Sequence, residues 1–187
     1  YDAILGPDLV ADGQPAVVLQ RLGFTPDDVS AVILTHFHAD HVATLDRFAK
    51  ARIITKAGVL DRILHRPLRA NLRHGIFPEL LPVGLAARVA DVDSFPFADA
   101  PLGLGSGRDL FGDGNVLTID LPGHAEGHFG LCFAGATVPL LYAVDVQWCT
   151  AALAEEGRPG FPASLIADDS RALAESSRRV LAFRQAG

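Results

Sequence analysis

The stretch Val32-Ile33-Leu34-Thr35-His36-Phe37-His38-Ala39-Asp40-His41 decides how this chain is read. The apolar run over 29–34 predicts a buried strand, since a short apolar segment bounded by polar residues suits a sheet covered on both faces. Three of the seven histidines in the chain then fall within six residues. Side chains alternate along extended backbone, so His36 and His38 share a face at about one metal-ligand spacing. The chain must then turn, which lets Asp40 and His41 approach from a different side. Imidazole and carboxylate are ligand types that suit zinc, manganese or iron. His36, His38, Asp40 and His41 are therefore candidate metal ligands.

Working outward, Thr25-Pro26-Asp27-Asp28 predicts a short helix capped by Thr25, with proline at its first position. Val42, Leu45 and Phe48 recur at helical spacing and predict a helix over 41–50. A strand over 52–55 and a helix over 58–65 follow, and a strand-helix-strand unit favours parallel pairing. Prolines 67, 78, 82, 96 and 101 interrupt periodicity, leaving a candidate helix between Pro82 and Asp91. The segment 103–108 is glycine-rich but lacks a Gly-Lys-Ser/Thr ending and a following helix, which predicts a plain flexible loop. The region 76–110, rich in Phe, Leu and Pro, could form a lid or a dimer contact. Strands over 116–121, 130–133 and 138–144, separated by turn residues, predict an antiparallel meander. Residues 167–184 form an amphipathic helix with Leu173, Val180 and Leu181 inward and Arg171, Glu175, Arg178 and Arg179 toward water.

Two more places carry chemistry. Pro122-Gly123-His124-Ala125-Glu126-Gly127-His128 lies between two strands, where the Pro-Gly turn presents His124 as a further ligand and His128 as its supporting partner. Asp145 ends the apolar run that begins at Leu140. Burying a lone carboxylate costs several kcal/mol unless something positive compensates it, and a metal ion is one such partner. His65 and His74 sit among Arg62, Arg66, Arg69 and Arg73 and read as part of a solvated basic helix face.

Composition narrows the function classes. With 187 residues, 49% hydrophobic and 20% charged, the chain suits one domain, 1–187, with a full core. No apolar run approaches the length of a membrane span. A net charge of -6 argues against a phosphate-backbone binder, so no nucleic-acid partner is expected. The two cysteines, Cys132 and Cys149, sit in apolar surroundings, which predicts buried packing residues and a reducing, cytoplasmic setting. A start at Tyr1 and the absence of methionine predict a piece of a longer product.

Taken together, the histidine stretch, the Pro-Gly-His-x-x-Gly-His turn and the strand ending in Asp145 resemble the metallo-β-lactamase-fold superfamily over roughly residues 22–150. The resemblance implies an α/β (α+β) fold, a four-layer αββα sandwich, lacking here its first strands and its last metal-ligand loop. His36, His38 and His124 match ligands of a first metal, Asp40 and His41 ligands of a second, and Asp145 the bridging carboxylate. His128 matches a residue that supports a ligand. A last ligand histidine of this family follows the helix over 167–184 and is expected beyond Gly187.

The resemblance implies two divalent metal ions, zinc first with manganese or iron as alternatives, and a metal-bridging hydroxide as nucleophile. Asp40 would also move a proton to the leaving group. Asp145 replaces the cysteine usual in the commonest zinc β-lactamases and fits the acyl-homoserine-lactonase-like and glyoxalase II-like branches. The segment from His124 to Asp145 is most similar to the lactonases, which often carry tyrosine where Trp148 stands, so Trp148 is a candidate substrate contact. The expected activity is hydrolysis of a small ester, lactone or thioester. A mononuclear-iron sulfur oxidoreductase, a phosphodiesterase or ribonuclease-like hydrolase, and a non-catalytic relative are the alternatives. A small-molecule substrate, no membrane and a homodimer complete the expected partners.

Overall fold

The computed structural model describes residues 11–148, 153 and 167–187. Two sheets of opposite pairing type organise these residues. Strands β1 (Ala31–Ile33), β2 (Arg52–Thr55) and β3 (Val89–Asp91) form a parallel sheet in that order, with Ile53 opposite both Val32 and Val89. Strands β4 (Phe97–Ala100), β5 (Gly105–Asp109), β6 (Val116–Asp120), β7 (Phe129–Phe133) and β8 (Leu140–Tyr142) form a five-stranded antiparallel sheet in sequence order. The described helices are α1 (Pro15–Arg21), α2 (Ala39–Val42), α3 (Ala57–His65), α4 (Leu68–Arg73) and α5 (Ser170–Ala186).

The layering follows from strand alternation. In β2, Ile53 packs with Val59, Leu60 and Ile63 of α3, while the next residue, Ile54, packs with Phe129 and Leu131 of the other sheet. In β6, Leu117 and Ile119 face Leu173, Val180 and Phe183 of α5, whereas Val116 joins the cluster between the sheets. Successive side chains of a strand point to opposite faces, so each sheet is apolar on both sides. The result is the expected αββα arrangement, with β1–β2 parallel and β6–β7–β8 a meander.

Several local expectations change. The helix over 41–50 is two short pieces, α2 and a 3-10 turn at Leu45–Arg47, separated at Thr44 (φ -116°, ψ 13°). Val42, Leu45 and Phe48 are nevertheless all buried, so the spacing read the core correctly. The candidate helix between Pro82 and Asp91 is a 3-10 turn, Leu85–Arg88, running into β3. The glycine-rich segment 103–108 is not a flexible loop, because most of it is β5. A Cβ on Gly107 would lie 2.2 Å from the Thr118 carbonyl oxygen, so the small residue permits close strand packing there. Accordingly the later part of 76–110 is sheet scaffold, β3 to β5, rather than lid.

In α5, Leu173 and Val180 are buried and Leu181 is half-buried, while Arg171, Glu175 and Arg178 are exposed. Arg179 departs from its expected solvent-facing role and donates to the carbonyls of Asp120 and Leu104. Cys132 is buried and free, and Cys149 lies outside the described residues. Among the described residues no helix is long and apolar enough to cross a membrane.

Candidate metal centre

Leu34 continues the β1 ladder by donating to the Ile54 carbonyl at 2.9 Å, so Thr35 to His38 emerge directly from the end of a parallel strand. His38 (φ -64°, ψ 155°) precedes α2, and His41 donates its backbone N–H to the His38 carbonyl at 3.0 Å. That single turn brings His41 back onto the side already occupied by His36. His36 Nε2 and His38 Nδ1 lie 3.2 Å apart, as alternation along extended backbone requires.

His124 arrives from the β6–β7 connection. Gly123 has φ +119°, and a Cβ there would sit 2.1 Å from Leu173 N and 2.4 Å from Leu173 Cα. Only glycine lets this turn press against the first turn of α5. Ser176 Oγ adds a hydrogen bond to the Pro122 carbonyl at 2.7 Å. Asp145 arrives from the end of β8 through Val144, a β-branched residue held at φ +54°. Such backbone is costly outside glycine and is found where surrounding structure enforces it.

These segments converge. One ring nitrogen each from His36, His38 and His124 lies within 4.8 Å of the others, and all three residues are buried. His36, His41 and Asp145 form a second group at the same spacing, sharing His36. Asp145 Oδ2 lies 2.8 Å from His41 Nε2, 3.4 Å from His36 Nε2 and 3.5 Å from His124 Nε2.

The electrostatics separate the imidazoles into two kinds. Burial, with the neighbouring histidines, holds His36 well below the usual histidine range, and burial likewise depresses His38. Burial takes His124 down to about 3 and His128 to about 4. For His41 burial also pulls downward, but the hydrogen bond and charge of Asp145, with the charge of Asp40, lift it above the ordinary value. Burial would raise Asp145, yet the His41 hydrogen bond and the nearby histidines hold its carboxyl low. The close approaches of His36 and His124 to Asp145 are thus contacts of neutral rings, while among the described histidines of this cluster His41 is the one that Asp145 draws toward its charged form.

Neutral imidazoles and an ionised carboxylate are the protonation states a metal ligand needs. His38 Nε2 and His124 Nε2 are buried without a hydrogen-bond partner. A polar atom left so in a protein interior is costly, and at His124, whose Nε2 faces Asp145, a cation would satisfy it. The donor set therefore fits divalent metal.

His128 supports rather than joins the cluster. Its Nδ1–H donates to the Leu121 carbonyl at 2.7 Å, and its Nε2 accepts the Asp145 N–H at 3.4 Å. Asp40 lies on the rim with its side chain 54% exposed and Oδ2 3.7 Å from His41 Nε2, outside both ligand groups. Trp148 is exposed, three residues beyond Asp145. His65 keeps to its own helix, bonding the Asp61 carbonyl at 2.8 Å.

Three features escaped the sequence reading. Thr35 Oγ1 lies 3.2 Å from His36 Nδ1, ready to accept its proton when Nε2 binds metal. Arg62 and Arg66 are not free but pair with Glu126 of the His124 loop. His74 bonds Asp168 across 94 positions of chain, and no local signal marks such a pair.

Residues 4–179 match the Metallo-beta-lactamase superfamily. The chain belongs to that superfamily. It is 29% identical over 153 residues to the N-acyl homoserine lactonase AttM of Rhizobium radiobacter, covering 79% of this chain and 52% of the relative. It is 36% identical over 117 residues to the metallo-hydrolase mfmC of Annulohypoxylon moriforme, covering 62% of this chain and 29% of that protein. A mutant of B. thuringiensis AiiA with N-decanoyl-L-homoserine bound at its active site superposes with a TM-score of 0.63 at 19% identity, covering 93% of this chain and 58% of that one. AidC, a dizinc quorum-quenching lactonase in complex with a product, gives 0.62 at 19% identity over 88% of this chain and 56% of that one. These superpositions establish the metallo-β-lactamase fold, and the chain spans about half the length of AttM.

Proposed function

We propose that this chain carries the catalytic part of a metal-dependent hydrolase that cleaves a small ester, lactone or thioester, with acyl-homoserine lactones as the first substrates to try. The observation that carries the reading is the convergence of His36, His38, His124, His41 and Asp145 into two ligand groups sharing His36. The similarity to AttM supports the lactone class. His36, His38 and His124 would hold a first divalent ion, and Asp40 and His41 a second, with Asp145 between them and zinc the leading candidate.

When bound, two such ions lower the pKa of a water so that a nucleophile exists at neutral pH, and polarise the substrate carbonyl. The remaining work belongs to the residues. Burial keeps His36, His38 and His124 neutral, so they offer lone pairs rather than protons. His128 fixes the backbone of Asp145 and so the direction of its carboxylate. Asp40 would take the proton of the attacking water and return it to the leaving oxygen, a role its half-exposed side chain beside His41 supports. Exposed Trp148 offers an indole N–H to the substrate.

The test is metal content by elemental analysis of protein purified without added metal or chelator, followed by turnover of lactones, thioesters and phosphoesters. About two zinc or manganese ions per chain with lactone turnover is the expected result. One iron with oxygen uptake, or no metal after reconstitution, overturns the reading.

A further inference from the structure

We propose that Asp168, acting with His74, is a positioning residue of the candidate metal centre, clamping the two segments that back His38 and His124. Both carboxylate oxygens are engaged with different parts of the chain. Oδ1 accepts from His74 Nδ1 at 2.6 Å, and Oδ2 accepts the Glu126 N–H at 2.8 Å. The Asp168 backbone N–H donates to the His124 carbonyl at 3.3 Å, and Asp169 N–H donates to the Gly123 carbonyl at 3.0 Å. The loop carrying His124 is thus held from both sides of its ligand.

The His74 end of the clamp reaches the other ligand. Gly75, the next residue, borders the His38 ring: a Cβ there would stand at ordinary contact distance, 3.4 Å from His38 Cδ2 and 3.7 Å from Nε2. Fixing His74 therefore holds the segment that runs beside the His38 ring. Outer residues that orient metal ligands in this way typically change affinity substantially when removed.

A local role does not account for these bonds. Asp168 stands just before α5, but the cap is Asp169, whose carboxylate accepts from Arg171 and Ala172. The side chain of Asp168 is 19% exposed and that of His74 36%, so the bond between them is partly open to water at its His74 end.

The inference rests on the metal-centre reading above, and the test separates the two. Zinc affinity is measured by competition with a chelating dye, alongside urea unfolding of the metal-free protein. His74→Ala and Asp168→Ala should each weaken zinc binding about tenfold. His74→Asn, whose amide N–H can occupy the place of Nδ1–H, should recover to within about threefold of the parent. The double variant should bind no more weakly than Asp168→Ala, because both changes remove one shared interaction. Should Asp168→Ala fail to fold, the His74 pair decides. Zinc affinity of His74→Ala within twofold of the parent, or equal losses in His74→Ala and His74→Asn, would overturn the clamp. A parent protein that binds no zinc would overturn the metal centre itself.

Discussion

His128 Nε2 accepts the main-chain N–H of Asp145 at 3.4 Å while the Nδ1–H of the same ring donates to the Leu121 carbonyl at 2.7 Å. One buried ring thereby ties the start of the His124 loop to the end of β8. These elements supply different ligands, and the tie sets their separation without His128 touching a cation. Lowering the His128 pKa by burial serves the same end, since a protonated ring could not accept from Asp145.

This relationship predicts different outcomes for two substitutions. His128→Asn can keep a donor toward Leu121 but has no acceptor at the Nε2 position. It should fold and bind metal about tenfold more weakly. His128→Leu strands both partners and should lose about 2–4 kcal/mol of stability as well. Chelator competition and urea unfolding measure the two effects, and unchanged affinity in His128→Asn would remove the positioning role.

Among the described residues Asp145 is the one carboxylate close to His36, His41 and His124 together. Asp145→Ala should reduce the metal content from two ions to one, leaving the group of His36, His38 and His124 intact. Elemental analysis of the variant decides it. A variant that keeps two ions and full hydrolytic rate would show that Asp145 does not bridge.

The clustering of His36, His38, His41, His124 and Asp145 was legible because each part is local: two strand ends and one turn, each with a motif shorter than eight residues. The strands β1, β2, β6 and β7 were legible for a related reason, being apolar runs that pack on both faces. β5 was not, since Gly105, Ser106 and Gly107 carry no apolar signal and the strand is held by its backbone ladder to β4 and β6. The split of the helix over 41–50 was hidden because either conformation buries Val42, Leu45 and Phe48. The His74–Asp168 pair was illegible for a different reason. Its partners meet only after the two sheets have packed, and a histidine among arginines carries no trace of an aspartate 94 residues away.

The buried histidines make stability of the metal-free protein depend on pH. In the unfolded chain these rings take up protons near pH 6.5. In the folded protein His36, His38, His124 and His128 all have lowered values, with His124 at about 3 and His128 at about 4. Below pH 6.5 the unfolded state therefore binds more protons, and stability falls as pH falls, by up to about 1.4 kcal/mol per pH unit for each group. His41 acts oppositely: its raised value stabilises the fold below pH 6.5, and that contribution is lost as pH rises through the folded value. Four groups against one give a net loss. Urea midpoints after chelation should be lower at pH 5 than at pH 7.5, and equal midpoints would contradict the burial assigned to these rings.

Val144 offers a test of the backbone that delivers Asp145. Its φ of +54° lies in the left-handed region, where a residue with a Cβ pays about 1–2 kcal/mol and glycine does not. Its side chain is half-buried and lines an apolar cavity of about 350 Å³ with Leu153, Val180 and Phe183. Truncation to either alanine or glycine removes nearly the same contacts, so comparing the two isolates the backbone. At ordinary positions alanine is the more stable by about 0.5–1 kcal/mol. Here Val144→Gly should exceed Val144→Ala by about 0.5–1 kcal/mol, read as the difference in urea unfolding free energy. The reverse order would mean that the turn before Asp145 relaxes out of the left-handed region, and that the direction of this carboxylate is set by His41 and His128 alone.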